Sequence, residues 1–274
     1  MPESSQEPVR VVAGAESVEL GSLLFTIVEP HKGFEVEYNR WYERDHLYSG
    51  CMIGPYNFAA RRFVATSDLK KLRDPDPSEI TGNPERGSYL AMYWILKGYG
   101  HIWGKWAGQQ VMALHKAGRM FEERDHVHTV LYDYKWSLGR DPNGVPVELA
   151  LDHPYNGLVA EFIDRSEGID QSDFDRYLAN DHLPNILAGS SAGLVAACSP
   201  QPMKSGAPGV ESKQANTDRT LLLWFLDLNP SSMTDALASH RTRLEADGMG
   251  TVKAILPFMP TIPGTDTYTD QLWG

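Results

Sequence analysis

Two stretches of this chain are close copies: "YNRWYERDHL", Tyr38–Leu47, and "FDRYLANDHL", Phe174–Leu183. Each spaces aromatic residues as a helix would and ends on Asp-His-Leu. At about 100° per residue, Phe34, Tyr38, Trp41 and Asp45 share one helix face, with Tyr42 and His46 on its flank. Arg40 and Arg176, Asp45 and Asp181, His46 and His182, and Leu47 and Leu183 each stand 136 residues apart. Carried back into the preceding strand, that offset matches Gly21 to Gly157 and Ile27 to Ile163. The spacing predicts an ungapped duplication.

Working outward, the first copy reads as a strand from Leu23, the helix from Phe34 and a strand from Ala59. A loop rich in Pro, Asp and Gly follows over 67–88, then a strand "YLAMYWIL" from Tyr89. A helix from Ile102 stops at Gly118, and a strand "HVHTVLYDYKW" runs from His126. The second copy repeats the plan. It has a strand from Gly157, a helix from Gln171 with Ser172 as N-cap, and strands from Ala192 and Thr220 flanking a polar loop. A helix from Met233 to Gly248 and a strand from Thr251 complete it. The chain therefore divides into a polar N-terminal arm (1–20), a first repeat (21–138), a linker (139–156), a second repeat (157–260) and a C-terminal tail (261–274).

Each repeat has the order β-α-β-β-α-β, the ferredoxin-like plan of an antiparallel sheet with helices on one face. The runs "LLFTIV", "YLAMYWIL" and "TLLLWFL" are almost unbrokenly apolar, so both faces of the sheet need cover. The expected fold class is α+β, with two ferredoxin-like repeats packed sheet to sheet.

"FEVEYNRWYERDHL" and "QSDFDRYLANDHLP", set in this strand order, resemble the dimeric α+β barrel superfamily, and within it the EthD-like branch. The resemblance covers roughly 21–136 and 157–260. It implies that one chain here does the work of a dimer, as a pseudo-dimeric α+β barrel. Members of the superfamily include cofactor-free monooxygenases, lactone isomerases, polyketide cyclases, dehydratases and haem enzymes. The likeness therefore bears on fold more than on reaction.

Composition narrows the partners. A net charge of −11 argues against nucleic acid and against anionic membrane surfaces. No apolar run approaches the ~18 residues of a membrane span. The start, "MPESSQEPVRVV", does not read as a signal peptide. The two cysteines, Cys51 and Cys198, form no metal spacing and no disulfide framework. A cytoplasmic protein with a small-molecule substrate is expected, and a homodimer of pseudo-dimers stays open.

The chemistry is expected in the first copy. His46 titrates near neutrality in water and is the candidate general acid/base, with Tyr42 and Asp45 beside it. Tyr38, Trp41, Tyr48, Trp94, Trp103 and Trp106 are candidates to line an apolar substrate pocket. Arg62 is a candidate anion contact, and His182 is the second copy's counterpart of His46. His126 and His128 alternate about Val127 and so should share a strand face, but no further ligands at metal spacing accompany them. "GSSAG" from Gly189 lacks the spacing and setting of a nucleophile elbow. The expectation is a cofactor-independent enzyme of lyase or isomerase type, a dehydratase or cyclase included. Its substrate would be a small apolar, aromatic or polyketide-like molecule. No cofactor and no metal are expected, although one histidine would suffice for haem. The alternatives are a cofactor-free monooxygenase and a non-catalytic ligand-binding module.

Overall fold

The computed structural model describes residues 17–201 and 216–274. Most of the N-terminal arm and the centre of the polar loop after Pro200 lie outside the described residues. The elements run β1 (Leu20–Pro30), α1 (Glu35–Trp41), a π-helical segment (Tyr42–Met52), β2 (Asn57–Val64), and the short helices α2 (Ser67–Lys70) and α3 (Ser78–Thr81). Then come β3 (Tyr89–Leu96), α4 (Gly100–Lys116) and β4 (Arg124–Gly139). The second repeat has β5 (Gly157–Arg165), α5 (Gln171–Arg176), a second π-helical segment (Tyr177–His182), α6 (Leu183–Ala188), β6 (Ala192–Pro200), β7 (Arg219–Leu226), α7 (Thr234–Ala246) and β8 (Gly250–Pro260). Asp170, rather than Ser172, occupies the N-cap position of α5.

The eight strands close into one antiparallel barrel in the order β1-β3-β2-β8-β5-β7-β6-β4. The two seams between repeats are unequal. β4 runs past the end of β1 and pairs with β6 from Tyr132 to Gly139, whereas β2 meets β8 only through Phe63–Pro260 and Val64–Met259. Closure pairs every strand on both sides and buries most strands on both faces, whereas β4 is half-buried along nearly all its length. Inward residues fill the barrel, among them Phe25, Phe63, Trp94, Phe162, Phe225 and Phe258. Outward residues pack under the helices, mostly those of their own repeat; Trp136 and Leu138 at the end of β4 join the second repeat's cluster. The linking segment is built into the interior: Val147, Ala150, Leu151 and Tyr155 join the inner cluster, and Trp94 Nε1 donates to the Val147 carbonyl at 2.9 Å.

The strand register corrects the ungapped duplication. Ile27 points into the barrel, but Ile163 packs under the helices. A one-residue shift moves a strand side chain to the opposite face, so these two positions are not equivalent. The matching bulges fall between Ile27 and Val28 in one repeat and between Phe162 and Ile163 in the other. Gly33 and Gly168 turn both strands into their helices with positive φ. Each of these pairs is 135 apart, whereas His46 and His182 are 136 apart. The second repeat thus carries one extra residue between Gly168 and α5.

The bulge on β4 also overturns the shared face expected for His126 and His128. Val28 pairs with His126 and Ile27 with His128, leaving Val127 as the extra residue. His126 turns outward, while His128 lies among Phe25, Phe162 and Tyr132 and bonds the Tyr132 hydroxyl at 2.9 Å.

Trp94 bridges the barrel filling and the linker, so Trp94→Ala should remove about 3–5 kcal/mol of stability. Urea denaturation checks this, and a loss under about 1 kcal/mol would mean the interior does not depend on the contact.

Candidate active site

Between α4 and the outer face of β1 and β4 lies a cavity of about 640 Å³. That is within the usual range for small-molecule sites. Its floor is Leu24, Thr26 and Val28 from β1, with Arg124, His126, Thr129 and Leu131 from β4. The π-helical segment supplies Tyr42, His46, Gly50 and Cys51, and α4 supplies Trp103, Met112 and three glycines.

Those glycines explain why the space is open. Gly100, Gly104 and Gly108 recur every four residues on one face of α4. Gly100 lies close against Ser22, where a Cβ would come within 2.5 Å of its Oγ, while Gly104 and Gly108 leave the helix bare along the cavity. A Cβ on Gly108 would meet nothing within 4 Å, and one on Gly104 would only touch Leu131 at 3.9 Å. A glycine within a helix destabilises it by up to ~1 kcal/mol relative to alanine, and here the stripe leaves room.

The π-helical turn sets the histidine. Hydrogen bonding from i to i+5 widens the helix and brings residues five apart into register. Trp41 and His46 therefore stack, ring centroids 4.5 Å apart at 18°. Tyr42 meets the same imidazole edge-on at 5.2 Å. Gly50 lies against the ring, where a Cβ would come within 2.7 Å of His46 Cε1. Trp41 is itself fixed by a 2.8 Å bond from its Nε1 to the Arg119 carbonyl. The His46 imidazole is 8% exposed, and its Nδ1 is buried with no hydrogen-bond partner.

Burial, with Arg124 and His126 nearby, pushes His46 down to about 3. Burial and Arg124 push His126 down to about 4. Both imidazoles are neutral at physiological pH. The Tyr42 phenol is raised by burial and bonds the Tyr93 hydroxyl at 2.9 Å. Thr129 bonds both His126 Nδ1 (3.1 Å) and the Thr26 hydroxyl (2.7 Å).

Of the residues expected from sequence, His46, Tyr42 and Trp103 line this cavity, and Trp41 backs His46. Asp45 turns away and pairs with Arg119. Tyr38 lies behind Tyr42, and Tyr48 is 55% exposed. Trp94 points into the barrel, and Trp106 packs on Gly54. Arg62 is buried outside the cavity, bonded to Asn39 and set over the rings of Tyr38, Tyr42 and Tyr89. The half-buried cation on the cavity is Arg124, with exposed Lys105 at its rim; sequence reasoning passed over both, together with Thr26, Thr129 and the glycine stripe. Only the stripe leaves a signal in the sequence, the four-residue recurrence of Gly in α4.

The second repeat closes the corresponding space. His182 is fully buried, and both its nitrogens are engaged, Nδ1 with Tyr177 (3.0 Å) and Nε2 with His240 (2.7 Å). Burial, and then His240, bring His182 down to about 4. His240 Nε2 lies 2.9 Å from Glu161, whose other oxygen accepts from Trp224 Nε1 at 2.9 Å. Where α4 presents glycine, α7 sends in a histidine.

No family model matches the chain, and no curated protein does. Solved structures do. They include an anthrone oxidase-like protein (TM-score 0.51, 8% identity, 90% of this chain and 95% of that one). Others are a candidate chlorite dismutase (0.50, 10%, 93% and 100%) and a DypB variant from Rhodococcus jostii in complex with heme (0.52, 9%, 94% and 97%). This is the dimeric α+β barrel fold. At such identities the likeness shows the fold alone. Within this dimeric α+β barrel, no helix among the described residues is long and apolar enough to cross a membrane. No group of three or more metal-ligating side chains occurs among them either.

Two outcomes follow from the geometry. Gly108→Leu should stabilise α4 by about 0.5–1 kcal/mol while filling the cavity; a lowered urea midpoint would show that Gly108 faces packed atoms. His46, His126 and His182 have folded values of about 3, 4 and 4, below the ordinary 6.5. Their contribution to stability is full above pH ~6.5 and is lost as the pH falls towards 4, because only the unfolded chain takes up these protons. Urea midpoints at pH 7.5 and 4.5 should differ accordingly, and equal midpoints would contradict the buried neutral imidazoles.

Proposed function

We propose that the first repeat's cavity binds a small, largely apolar ring compound and that His46 moves a proton on it. The observation that supports this is a neutral imidazole, held by Trp41, Tyr42 and Gly50, on the wall of a 640 Å³ cavity. A neutral imidazole accepts a proton. Held beside the substrate, the same group can return it to another atom. That suits isomerisation or elimination next to a carbonyl or hydroxyl, the lyase or isomerase class. Tyr42 lies beside His46 on the wall, where its hydroxyl can meet a substrate oxygen. Asp45 acts through position: its pair with Arg119 and the Trp41–Arg119 bond tie the π-helical segment to the end of α4. Kinship with the EthD-like branch is part of the same proposal.

Turnover of hydroxylated or keto polycyclic compounds tests it. His46→Gln should lower kcat by about 10²–10⁴, the range for a lost general acid/base. Unchanged turnover would sink the role. With His46 near 3, kcat/KM should show no acid limb from this base between pH 8 and 5. Turnover that requires dioxygen would replace this reading by a cofactor-free oxygenase. Stoichiometric binding with no turnover would make the chain a ligand carrier. A Soret band in the purified protein would point to haem instead, with His46, His101 and His126 the imidazoles on the cavity.

A further inference from the structure

Among the described residues, Arg124 stands on the cavity wall without a counter-ion. It is half-buried, and no side-chain hydrogen bond or ion pair satisfies it among the described residues. The acids close to it in sequence are committed elsewhere. Asp125 pairs with Arg86 at 2.7 Å and with His31 at 3.2 Å, and Glu123 pairs with His31 at 2.9 Å. Asp45, on the neighbouring π-helical segment, is held by Arg119. Glu122 acts on Arg124 only through space. What faces the guanidinium is neutral: the Trp41 indole at 4.8 Å, the imidazoles of His46 and His126, and the phenols of Tyr38 and Tyr42. In a chain of net charge −11, an arginine left with only an aromatic face in a partly dry cavity is an unfilled half of an ion pair.

We infer that the ligand of this cavity carries a carboxylate on its apolar ring body, and that Arg124 receives it. A guanidinium matches the two oxygens of a carboxylate with parallel N–H donors. The walls from Leu24, Val28, Trp103, Met112 and Leu131 take the ring body. The inference rests on the proposed small-molecule site but not on its reaction, because it concerns recognition alone.

Isothermal titration of the intact chain with 2-naphthoate and with its neutral isostere 2-naphthamide tests it. The naphthoate should bind at least tenfold more tightly. Arg124→Gln should erase that preference while leaving naphthamide binding within about twofold, and Arg124→Lys should restore part of it. Gly108→Leu should abolish binding of both, which places them in the cavity. Equal affinities in the unaltered chain overturn the inference without any variant, and so does a preference that survives Arg124→Gln in a folded protein. A tenfold preference together with unchanged turnover in His46→Gln would keep the carboxylate site and remove only the proton-transfer reading. Binding of neither compound would remove both.

Discussion

Everything in this molecule answers to the alternation of side chains along eight strands that have no free edge. Closure dries the inner face and forces it to be filled, which the large inward aromatics do. The outer face must then be covered by helices, and the quality of that cover is the one variable left. Over the second repeat, His182 and His240 fill the corresponding space. Over the first, a helix with a glycine stripe leaves a gap, and Thr26, Arg124, His126 and Thr129 of β1 and β4 border it. The cavity is therefore a property of one helix face laid over an otherwise ordinary sheet.

The two repeats show how little has to change for this. Both keep the π-helical turn that stacks an aromatic on a histidine five residues later, Trp41 on His46 and Tyr177 on His182. In the second repeat the imidazole is drawn into a buried polar chain that includes Tyr177, His240 and Glu161. In the first it is left with an unpartnered nitrogen. An unsatisfied buried polar atom destabilises a fold, so its presence beside a cavity directs attention to what would bind there.

Much of the architecture was readable from sequence because the signals were local or periodic. The run Tyr89–Leu96 is the observed β3, and the apolar character of both strand faces announced a doubly covered sheet. Three features were not readable. The parity of β1 against β5 depends on a single extra residue after Gly168, which similarity between glycines and isoleucines concealed. The separation of His126 from His128 depends on a bulge, which is a pairing event between strands. At the site, a helical wheel of about 100° per residue suits an α-helix but not the wider π-helical turn. It therefore placed His46 on the flank of Trp41 rather than on its face, and Asp45 on the aromatic face rather than beside Arg119. Arg62 and Arg124 were indistinguishable as isolated cations. Only the fold shows which one has its partners already.

The linking segment built into the barrel interior has an effect on symmetry. Identical chains related by a two-fold axis must present each seam and each site in duplicate, so any residue that weakens one copy weakens its mate. Here the joined halves are encoded separately, and the join, with Val147 held by Trp94, is part of the shared core. The long β4–β6 seam can carry closure while the β2–β8 seam stays at two residue pairs. A helix weakened by glycine can sit over one half while the other remains solid. Fusion, in this protein, is what permits specialisation of a single face.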